Sequence, residues 1–182
     1  GICNAEELMY KRIKFRSQYP STWEDDDSQF VIAKSRFEKT VHLLDDLDAA
    51  LRPVILMNIR YLLAGKLARR QLEMWTVHVM EQAVQRLQDV SQNETKGILL
   101  LISLKGTSLG NYDVVYLKWL FEAIFRGYTG RFTQVLIYKA PAGFTQAWKL
   151  VKPILGFYSV LVKFVNKTDL KTYIPFIHHI PL

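Results

Sequence analysis

The groups in this chain that could carry covalent chemistry or hold a metal are few. They are the adjacent His178 and His179, the single Cys3, the carboxylates Asp45, Asp46 and Asp48, and the glycine-bearing turn at 106–110. A metal site needs ligands that converge. Neighbouring residues on an extended chain point to opposite faces, and no Cys, Asp or Glu lies close in sequence to His178 and His179, so no metal site is expected there. His42 and His78 fall in apolar periodic stretches, the setting of hydrogen-bonded core or boundary histidines rather than of catalytic bases. Cys3 has no evident partner or activating base and is not expected to act as a nucleophile. The three aspartates lack the glycine and distal glutamate of an EF-hand and read as a solvated turn. A Walker loop needs lysine and a hydroxyl directly after its last glycine, whereas Asn111 and Tyr112 follow Gly110. No three glycines have the spacing of a dinucleotide fingerprint. No catalytic residue, cofactor or metal is therefore expected, and the protein is read as not an enzyme.

Apolar side chains make up the more informative part. A chain of 182 residues with 49% hydrophobic composition can bury one sizeable core, so a single main domain is the default. The net charge of +7 favours anionic partners and by itself suits nucleic acid or an anionic membrane surface equally well. One cysteine leaves no internal disulfide framework and fits a reducing compartment, and neither a secretory leader nor a membrane-spanning run is visible. A cytoplasmic location, with peripheral membrane contact, is expected.

The elements follow from periodicity. Residues 97–104 and 134–139 read as continuous apolar strands, the pattern of a sheet buried on two faces. The first leads through a turn at 105–111 into a helix at 112–125, and the second leads through Ala140 and Pro141 into a helical stretch at 145–162. Strand, helix, strand, helix with short links implies parallel strands with covered crossovers. The 145–162 stretch is apolar around much of its circumference, interrupted by Pro153 and Gly156. Such a helix is either sandwiched inside the protein or faces something apolar that is not protein.

Upstream, Asn4 and Glu7 form a capping-box pattern for a helix reaching Gln18. Leu8, Ile13 and Phe15 would supply its apolar side, and Lys11, Arg12, Lys14 and Arg16 its basic side. A loop at 19–27 carries Trp23, and 28–37 is a short helix. Strands at 40–44 and 53–61 flank a hairpin-like connection, followed by a long helix at 67–90. The chain closes with a strand at 161–165, a turn at 166–169 and a short helix at 170–176.

Lys105-Gly106-Thr107-Ser108 after an apolar strand, Tyr128-Thr129-Gly130-Arg131 before the next, Ala140-Pro141-x-x-Phe144, and Trp148-x-x-x-Lys152-Pro153-x-Leu155 occur in this order. Together they resemble the Sec14-like (CRAL-TRIO) lipid-binding domains from about Thr40 to the C-terminus. The resemblance implies an α/β fold with a mostly parallel central sheet, covering helices and a mobile apolar gate helix over a lipid cavity. Residues 1–37 would be a shortened N-terminal helical layer and 38–182 the lipid-binding domain. The gate would run over 144–161, with Phe144, Trp148, Val151, Leu155, Phe157, Tyr158 and Leu161 facing acyl chains or membrane. Leu101, Ser103, Leu136 and Tyr138 would line the pocket from the sheet. Arg60, Lys105, Lys139 and Lys163 are the headgroup candidates.

The chain departs from the family pattern at several points. Gly130 stands where phosphoinositide binders carry glutamate, Thr129 replaces proline, and Ser103 replaces the aspartate before leucine-lysine-glycine. Leu51 replaces the glycine before Arg52-Pro53-Val54, so that turn must close differently. The implied function is non-catalytic binding, and transfer between membranes, of a phospholipid or another hydrophobic small molecule. The alternative is a protein-interaction scaffold with a filled cavity, for example one that engages a regulator of small GTPases. No nucleic-acid partner is expected.

Overall fold

Two runs of leucine, isoleucine and valine occupy the middle of the sheet. In Ile98–Ser103 (β3) every residue is buried, and in Phe132–Tyr138 (β4) only Thr133 is exposed. The two strands pair in parallel. Such strands can persist only where both faces are covered. The computed structural model describes residues 5–19, 28–62, 66–90, 97–141, 143–180 and 182. Around the central pair stand Val41–Leu43 (β1), Val54–Asn58 (β2) and Val162–Val165 (β5), in the order β1-β2-β3-β4-β5. The β1–β2 pair is antiparallel and the other pairings are parallel. The sheet is thus the mostly parallel one that the strand and helix alternation predicts.

Because the strand order equals the chain order, each parallel crossover advances in one direction, and right-handed connections then place all their helices on one face. These helices are Lys66–Val90 (α3), Val114–Glu122 (α4) and Phe144–Leu155 (α5). Their apolar residues form one cluster with Ile55, Met57, Leu100, Ile102, Val135 and Ile137. The alternate residues Val54, Leu56, Leu99, Leu101, Leu136 and Tyr138 form a second cluster with the C-terminal segment, chiefly Leu170, Ile174 and Ile177. That segment comprises Lys167–Tyr173 (α6) and a 3-10 turn at Ile177–His179.

Two N-terminal helices, Ala5–Arg16 (α1) and Ser28–Phe37 (α2), complete the helical face. In α2, Phe30, Ala33 and Phe37 enter the same core as α3. The expected sidedness of α1 is only partly realised. Phe15 packs inward and Ile13 lies exposed, whereas Arg16 pairs with Glu81 on α3 at 2.7 Å. Arg69 and Asp113 pair at 2.9 Å, so basic residues here fasten helices together. Trp23 and Cys3 lie outside the described residues.

Several boundaries move for identifiable reasons. The α4 helix starts two residues later than expected because the Asp113 carboxylate accepts from the Val115 and Tyr116 amides as an N-cap. It gives way to a π-helical turn at Ala123–Gly127. The α6 helix begins at Lys167, where a turn was expected, because Asn166 and Asp169 form a capping box. The 145–162 stretch is not one helix. Gly156 adopts φ 50° after α5, and Gly156–Leu161 continues as a 3-10 turn. Likewise β2 stops at Asn58, and Ile59–Tyr61 is a 3-10 turn.

Asp48 corrects the solvated-turn reading of the acidic cluster. Asp45 and Asp46 are exposed, but Asp48 is buried. Its carboxylate accepts from the Ala50 amide at 3.0 Å, from the Arg52 amide at 2.8 Å and from Arg52 Nε at 2.8 Å. Those bonds hold Leu51 at φ 58°, the left-handed region that ordinarily favours glycine. The turn therefore closes through a buried carboxylate that offsets the strain at Leu51. His42 donates from Nδ1 to the Glu38 carbonyl at 3.1 Å, and His78 packs against the rings of Phe30 and Trp75. His178 and His179 sit exposed in a 3-10 turn rather than on an extended chain.

Candidate functional site

The site begins with the spacing of α5. Phe144, Trp148 and Leu155 recur at positions that share one side of an α-helix, and that side meets the sheet. Phe144 and Leu155 are buried, and Trp148 is half-buried. Gln146, Lys149, Lys152 and Pro153 are exposed. The side chains of Val151 and Phe157 lie outside the described ones.

Aromatic rings make the seat. Phe144 meets Tyr112 at 5.8 Å and Phe164 at 6.1 Å between centroids. Trp148 meets Phe164 edge-on at 5.1 Å. In the 3-10 turn that follows, Tyr158 stacks on Phe125 of the π-helical turn at 4.6 Å. Each such pair contributes about 0.5–1.5 kcal/mol beyond simple burial. These contacts are ring on ring and apolar. Tyr112 is itself positioned: its hydroxyl donates to Thr107 Oγ1 at 2.8 Å, and that hydroxyl donates to the Leu104 carbonyl. The glycine-bearing turn after β3 thus braces the N-terminal end of α5 through Tyr112.

At the sheet edge the seat is open. Phe164 on β5 is 47% exposed although its ring meets the buried Phe144, and Val160 in the 3-10 turn is 67% exposed. Phe164 pairs in register with Ile137, and Val162 with Val135, so these four side chains share the face under α5.

The same register separates residues that the sequence reading grouped. Leu101 pairs with Leu136, and Ser103 with Tyr138, which puts all four on the face opposite α5. Leu101, Leu136 and Tyr138 pack there against the C-terminal segment, and Ser103 is buried. They cannot line one cavity with Phe144, Trp148, Leu155, Tyr158 and Leu161, which belong to the helical side. The residues beneath α5 are instead their neighbours Leu100, Ile102, Val135 and Ile137. Phe164 and Tyr112 were missed. The i, i+2 relation of Phe164 to Val162 on an edge strand was the available signal.

The four basic candidates do not form one group in the described contacts. Lys163 reaches the Tyr173 hydroxyl at 3.4 Å and Lys105 the Leu182 carbonyl at 3.2 Å, so both engage the C-terminal segment. Arg60 lies over the ring of Tyr61 and donates to its hydroxyl at 2.6 Å. Lys139 is exposed immediately before the link into α5, with φ 55°. A lysine in the left-handed region is uncommon and costs of order 1 kcal/mol.

Among the described residues no helix is long and apolar enough to cross a membrane. The crystal structure of Sfh5 is similar in fold, with a TM-score of 0.64 at 12% identity over 87% of this chain. The match spans 59% of the Sfh5 chain, so this chain corresponds to a part of that protein's length. The CRAL/TRIO domain model matches residues 38–178, which include the five strands, α5 and α6. With well over half of its length matched in this way, the chain belongs to the CRAL/TRIO domain family, a family of lipid-binding and lipid-transfer proteins.

Proposed function

We propose that this chain binds a hydrophobic ligand such as a phospholipid, and moves it between membranes, by lifting α5 and the following 3-10 turn from the sheet. No covalent chemistry is involved. The observation that carries this reading is the apolar, ring-built seat of α5, which adjoins the exposed Phe164 and Val160. An element seated by ring contacts can be displaced by acyl chains with apolar contact replacing apolar contact. Each methylene so buried contributes about 0.8 kcal/mol, so one acyl chain offsets the loss of several ring contacts. Gly156, at φ 50°, is the break about which the two halves of 144–161 move.

Lys139 is the headgroup candidate at the entrance, because it is exposed beside the link into α5. Lys105 and Lys163 serve to hold the C-terminal segment. The positive net charge draws the protein to anionic membrane surfaces from the cytoplasm. Residues 1–37 act as a helical layer on the lipid-binding domain at 38–182.

The test is native mass spectrometry of the purified chain with extraction and identification of any lipid, followed by uptake of fluorescent phospholipid from vesicles. The expected result is stoichiometric lipid, with uptake lowered about tenfold or more by Phe164→Asp at unchanged fold. A folded chain that carries nothing and takes up nothing would exclude the reading, as would full uptake by the variant.

A second reading has its own observation. Leu155 is 2% exposed and packs in the protein's own core, as it would in an interaction module whose cavity is filled. That reading expects an empty protein and an unchanged melting temperature in the presence of phospholipid.

A further inference from the structure

A cleft of about 590 Å³ separates α1 from α4, remote in sequence from the gate. Lys14, Phe15 and Gln18 line one side, and Trp119, Glu122 and Arg126 the other. The volume falls in the range of small-molecule sites, about 300–1,000 Å³.

Its aromatic walls are fixed before any ligand arrives. The Trp119 indole donates to the Tyr19 hydroxyl at 2.6 Å, and Tyr19 donates to Glu73 at 3.4 Å. Arg70 lies over the Tyr19 ring at 4.4 Å. On its other side Trp119 stacks on Tyr116 at 5.5 Å, and the buried Tyr116 hydroxyl donates to Thr76 at 2.8 Å. Phe15 is seated against Gly127, where a Cβ atom would come within 2.5 Å of its ring. Gly127 ends the π-helical turn that also carries Arg126, and such turns are frequent at functional sites. Walls held in this way lose little freedom on binding.

The charges at the rim are unspent. Around the cleft Arg16 pairs with Glu81, Arg69 with Asp113 and Arg70 with Glu73. Among the described residues the side chains of Lys14, Glu122 and Arg126 form no ion pair or hydrogen bond, although all three line the same space. Two cations exceed one carboxylate there, so the cleft attracts an anion. Glu122 opposes a bare anion but accepts from a ligand that brings an N–H donor, and Gln18 can both donate and accept. The rings of Trp119 and Phe15 offer apolar, polarisable walls to a planar ring.

We infer that the cleft between α1 and the π-helical end of α4 binds a small anion carrying a planar, hydrogen-bond-donating ring, of the chemical class of a nucleoside monophosphate. The phosphate or carboxylate lies between Lys14 and Arg126, the ring lies against Trp119 and Phe15, and Glu122 takes the ring N–H. None of these residues belongs to the gate, so the site stands or falls independently of lipid binding.

The experiment is calorimetric titration of the whole chain with adenosine monophosphate, adenosine and inorganic phosphate in turn. Saturable one-to-one binding of the monophosphate is expected, with adenosine and phosphate each about tenfold weaker or worse. Lys14→Glu and Arg126→Glu each lower monophosphate affinity about tenfold or more, because a charge-assisted bond is replaced by repulsion. Both positions are exposed, and the melting temperature of each variant is expected to stay at the wild-type value. Glu122→Gln weakens the monophosphate and strengthens phosphate, which a merely structural role would not do. No saturable monophosphate binding up to about 5 mM would overturn the proposal. Equal binding of phosphate alone, or binding that survives both charge reversals at the wild-type melting temperature, would overturn it as well.

Discussion

The two faces of one sheet are covered in physically different ways. Over β3–β5 on the helical side, α5 is seated by Phe144, Trp148 and Tyr158 against other rings. On the opposite side the C-terminal segment buries Leu170, Ile174 and Ile177 and is also tied by directional bonds. The Ala49 amide donates to the Tyr173 carbonyl at 2.9 Å, and Lys105 and Lys163 reach Leu182 and Tyr173. A capping box fixes the start of α6, whereas the junction after α5 is a glycine at φ 50°. Removing α5 would exchange apolar contacts for others that a lipid can supply. Removing α6 would break hydrogen bonds that no lipid tail can replace. The difference is what supports the proposal that α5 is the cover that moves and α6 the cover that stays.

The sharpest way to break this contrast is at Asp48, which shapes the turn that bonds to α6. Its carboxylate is buried against Arg52, and Arg52 in turn donates to Gln134 on β4 at 3.1 Å. Asp48→Ala is expected to lower stability by about 3 kcal/mol in a urea melt, since it removes the charge partner of a half-buried guanidinium and the acceptor of the Ala50 and Arg52 amides. A loss under about 1 kcal/mol would show that the turn does not depend on the carboxylate.

Trp148→Ala on the other face should cost less stability, about 1–2 kcal/mol, because the ring is half-buried and the neighbouring Phe164 is already open to water. It should nonetheless lower phospholipid uptake more than Asp48→Ala does under conditions where both variants are folded. The reverse order of uptake would dissolve the distinction between the two covers.

Asn166→Ala removes the capping box from α6 and is expected to cost about 1 kcal/mol with uptake unchanged. Thermal melting and vesicle uptake on the same sample would check both halves of the statement.

The smallest expected effect is at His42, whose side chain shares a face with Leu56 at the β1 end of the sheet. Burial lowers its pKa from the usual 6.5, against the opposing pull of the Glu38 carbonyl, Glu38 and Asp45. Lys39 and Tyr61 line the same cleft. The folded state binds the proton less readily than the unfolded one, so stability is full above about pH 6.5 and falls as pH drops through the folded pKa. Urea melts between pH 7.5 and 5 should show this slope, and His42→Gln should flatten it.

Much of this was legible in the chain. The order of strands and helices, the parallel pairing and the family resemblance follow from apolar runs, short links and a series of turn motifs. The apolar character of the segment at 144–161 follows from the same sequence. Caps such as Asp113 and Asn166 shifted ends by a few residues because a carboxylate or amide three positions upstream can start a helix early or late. The roles of Asp48 and Arg16 could not be read, because a charged residue declares its burial only through a partner distant in the fold.

The face to which each strand residue turns was not legible, for a specific reason. A strand with one wet face alternates polar and apolar residues and thereby announces its orientation. Ile98–Ser103 is buried at every position, so Leu100 and Leu101 look alike in sequence although one lies under α5 and the other under α6. By itself the sequence determined that a two-sided sheet with an apolar gate-like segment would form. Only the tertiary structure decided which alternate residues meet that segment, because the direction and hand of the crossovers, which place the helices, are properties of the assembled sheet.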